Sequence, residues 1–392
     1  MINMAGKRKW TFHAKTSLLL ILFYILTGTA GRAQEKDDTD LDIFGEIGFE
    51  YTDNVYHLTD GQITTMTENN PDDASSGRYQ DMDSLSDYII KPRIGIKWNS
   101  DSPFGGKLRV TSWFKYNYYL KNDDSDFPEG RIILKNSMGE KGSFILEGNF
   151  LFGFRKKNYL SGVNDLNGNG NISRDERTYS PALYDEYEGV AGYRYEYVKD
   201  KRRTLSGLSV RPFAGYSIRN YNSGFENRDR DTAFYGLELD IEFIDRIDLE
   251  SSYEYENITS PGAVELVLYD ETRSGLDVSN DGSIRANAPL YTSVDRSSNR
   301  YEFKIDPSVK LAKDITLFMG YSRRTTEYTS GNPLDTEHYD QKAHRKKYRA
   351  GIDYDYSKAW SLRAEYLRIY DEDPEDGVYK ENNYLFIIRY KF

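Results

Sequence analysis

From Ile43 to the final Phe392, apolar and polar side chains trade places at nearly every residue, and helical spacing is almost absent. No apolar run after Gln34 is long enough for a transmembrane helix. A period of two belongs to strands with unlike faces. One apolar face joins Ile43, Ile47, Phe49 and Tyr51, and a later one joins Phe144, Leu146, Phe150, Phe152 and Phe154. The pattern ends on Tyr384, Phe386, Ile388, Tyr390 and Phe392. It predicts about 14 strands, most near the ~10 residues that cross a tilted bilayer. Pro92, Pro212 and Pro307 fall inside these strands, where proline is unusual.

The connections alternate in length. Short ones fall at 99–105, 139–142, 199–203, 245–246, 311–314 and 357–359. Long ones fall at 53–83, 121–128, 156–181, 220–230, 259–298, 329–343 and 371–381. Short turns at one rim and long loops at the other define an all-β, transmembrane, antiparallel up-and-down barrel with both termini on the short-turn, periplasmic side. A soluble sandwich has no need of this alternation, and no fixed-length repeat marks a propeller or β-helix. The paired Tyr116/Tyr118, Tyr195/Tyr197, Tyr253/Tyr255 and Tyr354/Tyr356 are expected as interfacial girdles rather than a sugar-stacking track.

The N-terminus has the form of a secretory signal peptide over residues 1–33. Lys7, Arg8, Lys9 and Lys15 precede the apolar run Leu18 to Leu26, and Gly31 and Ala33 offer a small-residue exit before Gln34. The expected organisation is then a short periplasmic segment, 34–41, and one barrel domain, 42–392. Loss of 1–33 removes five basic side chains and no acidic one, so the formal net charge moves from −11 to −16. Such a chain is a poor nucleic-acid ligand. Mean hydropathy of −0.74 fits a barrel, because only alternate strand residues meet lipid. The chain has no Cys, so it has no disulfide, thiolate metal site or Cys nucleophile.

The faces opposite the apolar ones are charged. Arg109, Lys115, Arg194, Arg211, Glu238, Asp240, Glu242, Glu250, Glu254, Arg349, Arg363 and Arg389 are the candidate lumen residues. A dry core could not hold so many charges, so they need water. An aqueous channel for small hydrophilic solutes is the leading expectation, with acidic and basic walls opposed across the bore. The alternative is a closed barrel that serves as a surface scaffold, adhesin or assembly partner through its long loops. Beyond the signal segment the only His residues are His57, His338 and His344, all expected in loops, so no enzyme is expected.

Residues 165–176 read DLNGNGNISRDE. Asp165, Asn167, Asn169, Gly170 and Glu176 match positions 1, 3, 5, 6 and 12 of the loop pattern, Asn171 would offer its carbonyl at position 7, and Ser173 falls at position 9. This resembles the EF-hand calcium loop over these residues alone and implies a weak Ca²⁺ site. The segment Glu46–Tyr56 (EIGFEYTDNVY), with the terminal Phe392, resembles outer-membrane porin families whose first strand carries an aromatic-x-Asp-Asn pattern followed by an aromatic or aliphatic residue. That resemblance implies the outer membrane of a Gram-negative-type bacterium, contact with its lipid, and engagement of the barrel-assembly machinery by the C-terminal strand. It names no solute.

Overall fold

The computed structural model describes residues 40–67, 82–139, 141–163, 177–199, 204–244, 246–268, 289–333, 335, 338–373 and 377–392. The expected signal peptide, the rest of segment 34–41 and the calcium-like loop 165–176 lie outside these described residues.

Fourteen strands close on themselves. In chain order they are β1 (Asp40–Thr52), β2 (Asp87–Asp101), β3 (Lys107–Tyr119), β4 (Phe127–Met138), β5 (Gly142–Val163), β6 (Arg177–Lys199), β7 (Leu205–Tyr221), β8 (Arg230–Phe243) and β9 (Ile247–Thr259). They continue as β12 (Ser298–Lys310), β13 (Ile315–Tyr328), β14 (Lys342–Tyr354), β15 (Trp360–Asp373) and β16 (Gly377–Lys391). Each pairs antiparallel with its neighbours in sequence, and β9 pairs directly with β12. Between those two, β10 (Ala263–Leu268) and β11 (Pro289–Val294) form a separate hairpin outside the barrel wall. Among the described residues there is one α-helix, α1 (Asp60–Thr67), in the first long loop.

The tail closes the ring as its alternation requires: Tyr51 faces Tyr384 and Glu46 faces Arg389. Closure matters because an open first or last strand would leave a row of unpaired backbone groups. The three prolines are accommodated in one way. Pro92, Pro212 and Pro307 pair across one edge, with Ile47, Leu237 and Leu249. On the other edge the register lapses, between Ile90 and Arg93, between Val210 and Phe213, and between Ile305 and Ser308. A missing N–H therefore costs one ladder bond and not two.

Large apolar side chains stand on the outside. Phe49, Tyr88, Leu237, Tyr235, Met319 and Tyr384 are all exposed, which is the reverse of a soluble barrel. Outer tyrosines face one another strand to strand. Tyr88, Tyr51, Tyr384 and Tyr366 form one run, with ring centroids 5.1, 6.2 and 5.1 Å apart. Tyr321–Tyr348 and Tyr301–Tyr255–Tyr235 continue it at 5.2–5.3 Å. At the other rim Trp360, Tyr390 and Phe392 stack at 4.6 and 4.8 Å.

One face assignment from the sequence is corrected. Phe154 does not share the outer face with Phe152. The register shifts between Leu151 and Phe154, where Gly153 takes φ +62°, a conformation that glycine tolerates at little cost. Phe152 stays outside beside Tyr187, whereas Phe154 packs on Phe127 and Tyr184, whose parity is inward. The β5–β6 hairpin then runs past its neighbours, where Tyr159, Ala182, Tyr221 and Phe225 make a small apolar cluster.

Candidate pore interior

The inward parity is fixed by a cavity of about 430 Å³ lined from eight strands, β4 through β9 with β12 and β13. Side chains from that many strands of a closed barrel meet only in its bore. Charged groups line it, among them Arg131, Glu147, Glu186, Arg219, Glu238 and Arg300.

The proposed lumen residues lie on this parity, but they do not form two opposed walls. Most are paired sideways along the wall. Lys115 Nζ is 2.5 Å from Glu129, Arg389 Nε donates to Glu46 at 2.5 Å, and Arg363 makes two bonds to Asp353 at 2.6 and 2.7 Å. Lateral pairing wins because the neighbouring strand is about 5 Å away, whereas the far wall lies across the bore. Arg109 bonds Asn99 at 2.9 Å instead of an acid. Glu242 lies over Gly207, where an added Cβ would meet its Oε2 at 2.9 Å. Glu250 sits between Asp240 and Asp306 in register, and this row of three acids is flanked by arginines. Arg194 reaches Asp240 at 3.2 Å and Arg349 reaches Asp306 at 2.7 Å. Glu254 faces Glu302 and joins Glu256 in an acidic group whose ligand atoms lie within 4.8 Å of one another.

Arg194 of β6 already reaches past β7 to Asp240 of β8, and two further pairs skip a strand over a glycine. Arg349 of β14 reaches Asp306 of β12 over Gly320 of β13, where a Cβ would lie 2.2 Å from the carboxylate. Arg211 of β7 reaches Glu147 of β5 at 2.9 Å over Gly192 of β6. Phenylalanine covers other inward glycines from the opposite strand: Phe44 over Gly95, Phe234 over Gly215, Phe213 over Gly236 and Phe318 over Gly351. Guanidiniums then stack on these rings, Arg93 on Phe44 at 5.5 Å and Arg363 on Phe318 at 4.8 Å.

Sequence reasoning named neither Glu129, Arg131 and Glu147 on β4 and β5 nor Glu186, Arg300 and Arg324. All stand on the inward parity, and Arg324 makes two bonds to Glu302 through Nε, at 2.8 Å, and Nη2, at 2.5 Å. Parity was the available signal: Arg300 sits two residues before Glu302 on the same face.

The mouth carries a second finding. The described parts of the long loop 259–298 stand on the rim. The backbone N–H of Asp295 donates to Asp335 at 3.0 Å, and Asn332 bonds Ser293 at 2.7 Å. Residues 54–59, in the loop after β1, turn inward. His57 Nδ1 is 2.9 Å from Glu381 and its ring stacks on Tyr379, both on the inward parity of β16. Tyr56 is fully buried, with its hydroxyl donating to Asn122 at 2.9 Å, and burial pushes its pKa up to about 12. In the rim, Asp335 and His338 are both fully buried and 2.7 Å apart. Burial alone would raise the Asp335 carboxyl, but the bond and charge of His338 outweigh it and hold Asp335 below its ordinary value.

No family model matches this chain, and no curated protein matches it. Among solved structures it is similar to the outer membrane channel DcaP of Acinetobacter baumannii, at 10% identity, covering 92% of this chain and 100% of that one with a TM-score of 0.46. It is also similar to OmpT of Vibrio cholerae, at 11% identity, 92% and 100% coverage and a TM-score of 0.42. An anion-selective porin from Comamonas acidovorans matches at 11% identity, 91% and 100% coverage and a TM-score of 0.37. The likeness carries nothing about solute or activity.

Proposed function

We propose that this chain is an outer-membrane channel that passes small hydrophilic solutes through a charged, water-filled bore. The observation that carries this is the cavity inside a closed barrel, lined from eight strands by charged groups, under an outer face of exposed apolar and aromatic side chains. Such an outer face suits lipid, and such an interior is stable only when wet. Short turns at the rim that holds the C-terminus suit a periplasmic placement of both termini, with β16 as the strand read by the assembly machinery. The lumen residues would act by their fields on passing ions, not as chemical groups.

Purified protein in a planar bilayer is expected to raise conductance in discrete steps, and removal of residues 54–59 is expected to enlarge each step. Absence of steps across salts and voltages would sink the channel reading. The buried Tyr56 loop favours the second reading, a barrel closed at its outer end that works through its loops. Partner capture by cells that display a non-conducting protein would support it. Residues 165–176 are proposed as a weak Ca²⁺ loop on their ligand pattern. Millimolar Ca²⁺ should slow proteolysis within that loop, and equal cleavage with Ca²⁺ and with chelator would remove the site.

A further inference from the structure

The cations lining the cavity are not all alike. Arg131 and Arg211 share Glu147, Arg219 holds Glu186 through Nε and Nη2 at 3.0 and 2.7 Å, and Arg300 holds Glu256 at 2.8 Å. Arg324 and Lys304 share Glu302. Arg230 has no carboxylate among the described residues, and its Nε is buried without an acceptor. Moreover, Arg230 stands directly opposite Arg219 in the β7–β8 register. Like charges directly opposite on one face of a sheet repel, and a buried guanidinium N–H without an acceptor adds its own cost. Arg300 of β12 also feels the charges of Arg230 and Arg219. Two cavity acids have no ion pair among the described residues: Glu188 accepts from Asn149 at 2.7 Å, and Glu254 faces Gly236, six residues further along β8 than Arg230. That is about 20 Å along the strand, too far to neutralise Arg230.

We propose that Arg219, Arg230 and Arg300 form an oxyanion-binding station in the loop-side half of the bore, which takes a carboxylate or phosphate group. Arg230 supplies the free planar fork that binds two oxygens of such a group side by side. Arg219 and Arg300, already fixed by Glu186 and Glu256, add field without having to move. A bound oxyanion supplies the acceptor that Arg230 Nε lacks and relieves the Arg219–Arg230 repulsion. The adjoining cavity of about 430 Å³ has room for the rest of a small solute. This deepens the channel reading by naming a solute class, but binding at the station does not depend on conduction.

The test is binding to full-length protein in detergent, with inorganic phosphate and succinate as separate titrants in a chloride background, read by calorimetry. Saturable binding of at least one titrant is expected, weakened about tenfold or more in R230Q. R230K, which keeps the charge and loses the fork, should fall between. K107Q removes a charge at the exposed Lys107–Asp101 pair at the far rim and should bind as the unaltered protein does. Heat-modified gel mobility verifies that each variant is folded. Tighter phosphate binding would assign a phosphorylated solute, and tighter succinate binding a carboxylate. No saturable binding of either, or unchanged binding in folded R230Q and R230K alike, overturns the station. A protein that conducts without binding loses the station alone, and one that binds without conducting loses the channel reading alone.

Discussion

The two faces of this barrel carry two ladders built on the same strands by opposite means. Outside, tyrosines contact one another directly from strand to strand, as Tyr235, Tyr255 and Tyr301 do. Inside, guanidiniums and carboxylates alternate, as Arg93, Glu46 and Arg389 do across β2, β1 and β16. The outer ladder gains from each ring contact separately and tolerates a gap. The inner one is a charge balance, so removing one member strands its partners. The difference teaches where this fold is fragile: at shared carboxylates, not at the aromatic belt.

Three measurements would sharpen or break that contrast. The largest effect is expected for Glu46→Gln. Glu46 is buried and accepts from both Arg93, at 2.9 Å, and Arg389, at 2.5 Å, at the seam where β16 meets β1. Its neutralisation leaves two cations facing each other and should cost about 3 kcal/mol, read from urea unfolding by gel mobility. A cost equal to that of an outer tyrosine would erase the distinction. Tyr255→Ala removes two ring contacts and should cost about 1–2 kcal/mol by the same assay.

The smallest effect belongs to the rim latch. Asp335 is held below its ordinary value, so the latch contributes fully above the unfolded carboxylate value and is lost as pH falls through the folded one. Proteolysis between residues 329 and 341 should therefore accelerate only below about pH 4. Asp335→Asn should open that rim loop by about 1 kcal/mol at neutral pH. Cleavage that stays unchanged as pH falls through the carboxylate range would show that Asp335 does not hold the latch.

The barrel was readable because one physical constraint acts at every strand: alternate residues meet lipid or water, and nothing between them is allowed. Three exceptions were unreadable for particular reasons. Phe154 obeys its own parity in sequence, and only the bulge at Gly153 turns it inward. Tyr56 reads as a loop residue, and the acceptor of its buried hydroxyl, Asn122, lies far away in the chain. Gly192 and Gly320 look like weak strand residues until the ion pairs passing over them are seen.

The amino-acid sequence by itself determined the strand number, the closure of β16 on β1, and which face of each strand is charged. All of these follow from a period of two and from connection lengths, which are local properties. Tertiary structure alone decided which charge neutralises which. Ion pairing depends on interstrand register, on glycine gaps that let an arginine reach past its neighbour, and on distances across the sheet, and none of these is a property of any single strand. The same cause leaves Arg230 facing Arg219, an adjacency invisible along the chain and set entirely by the pairing of β7 with β8.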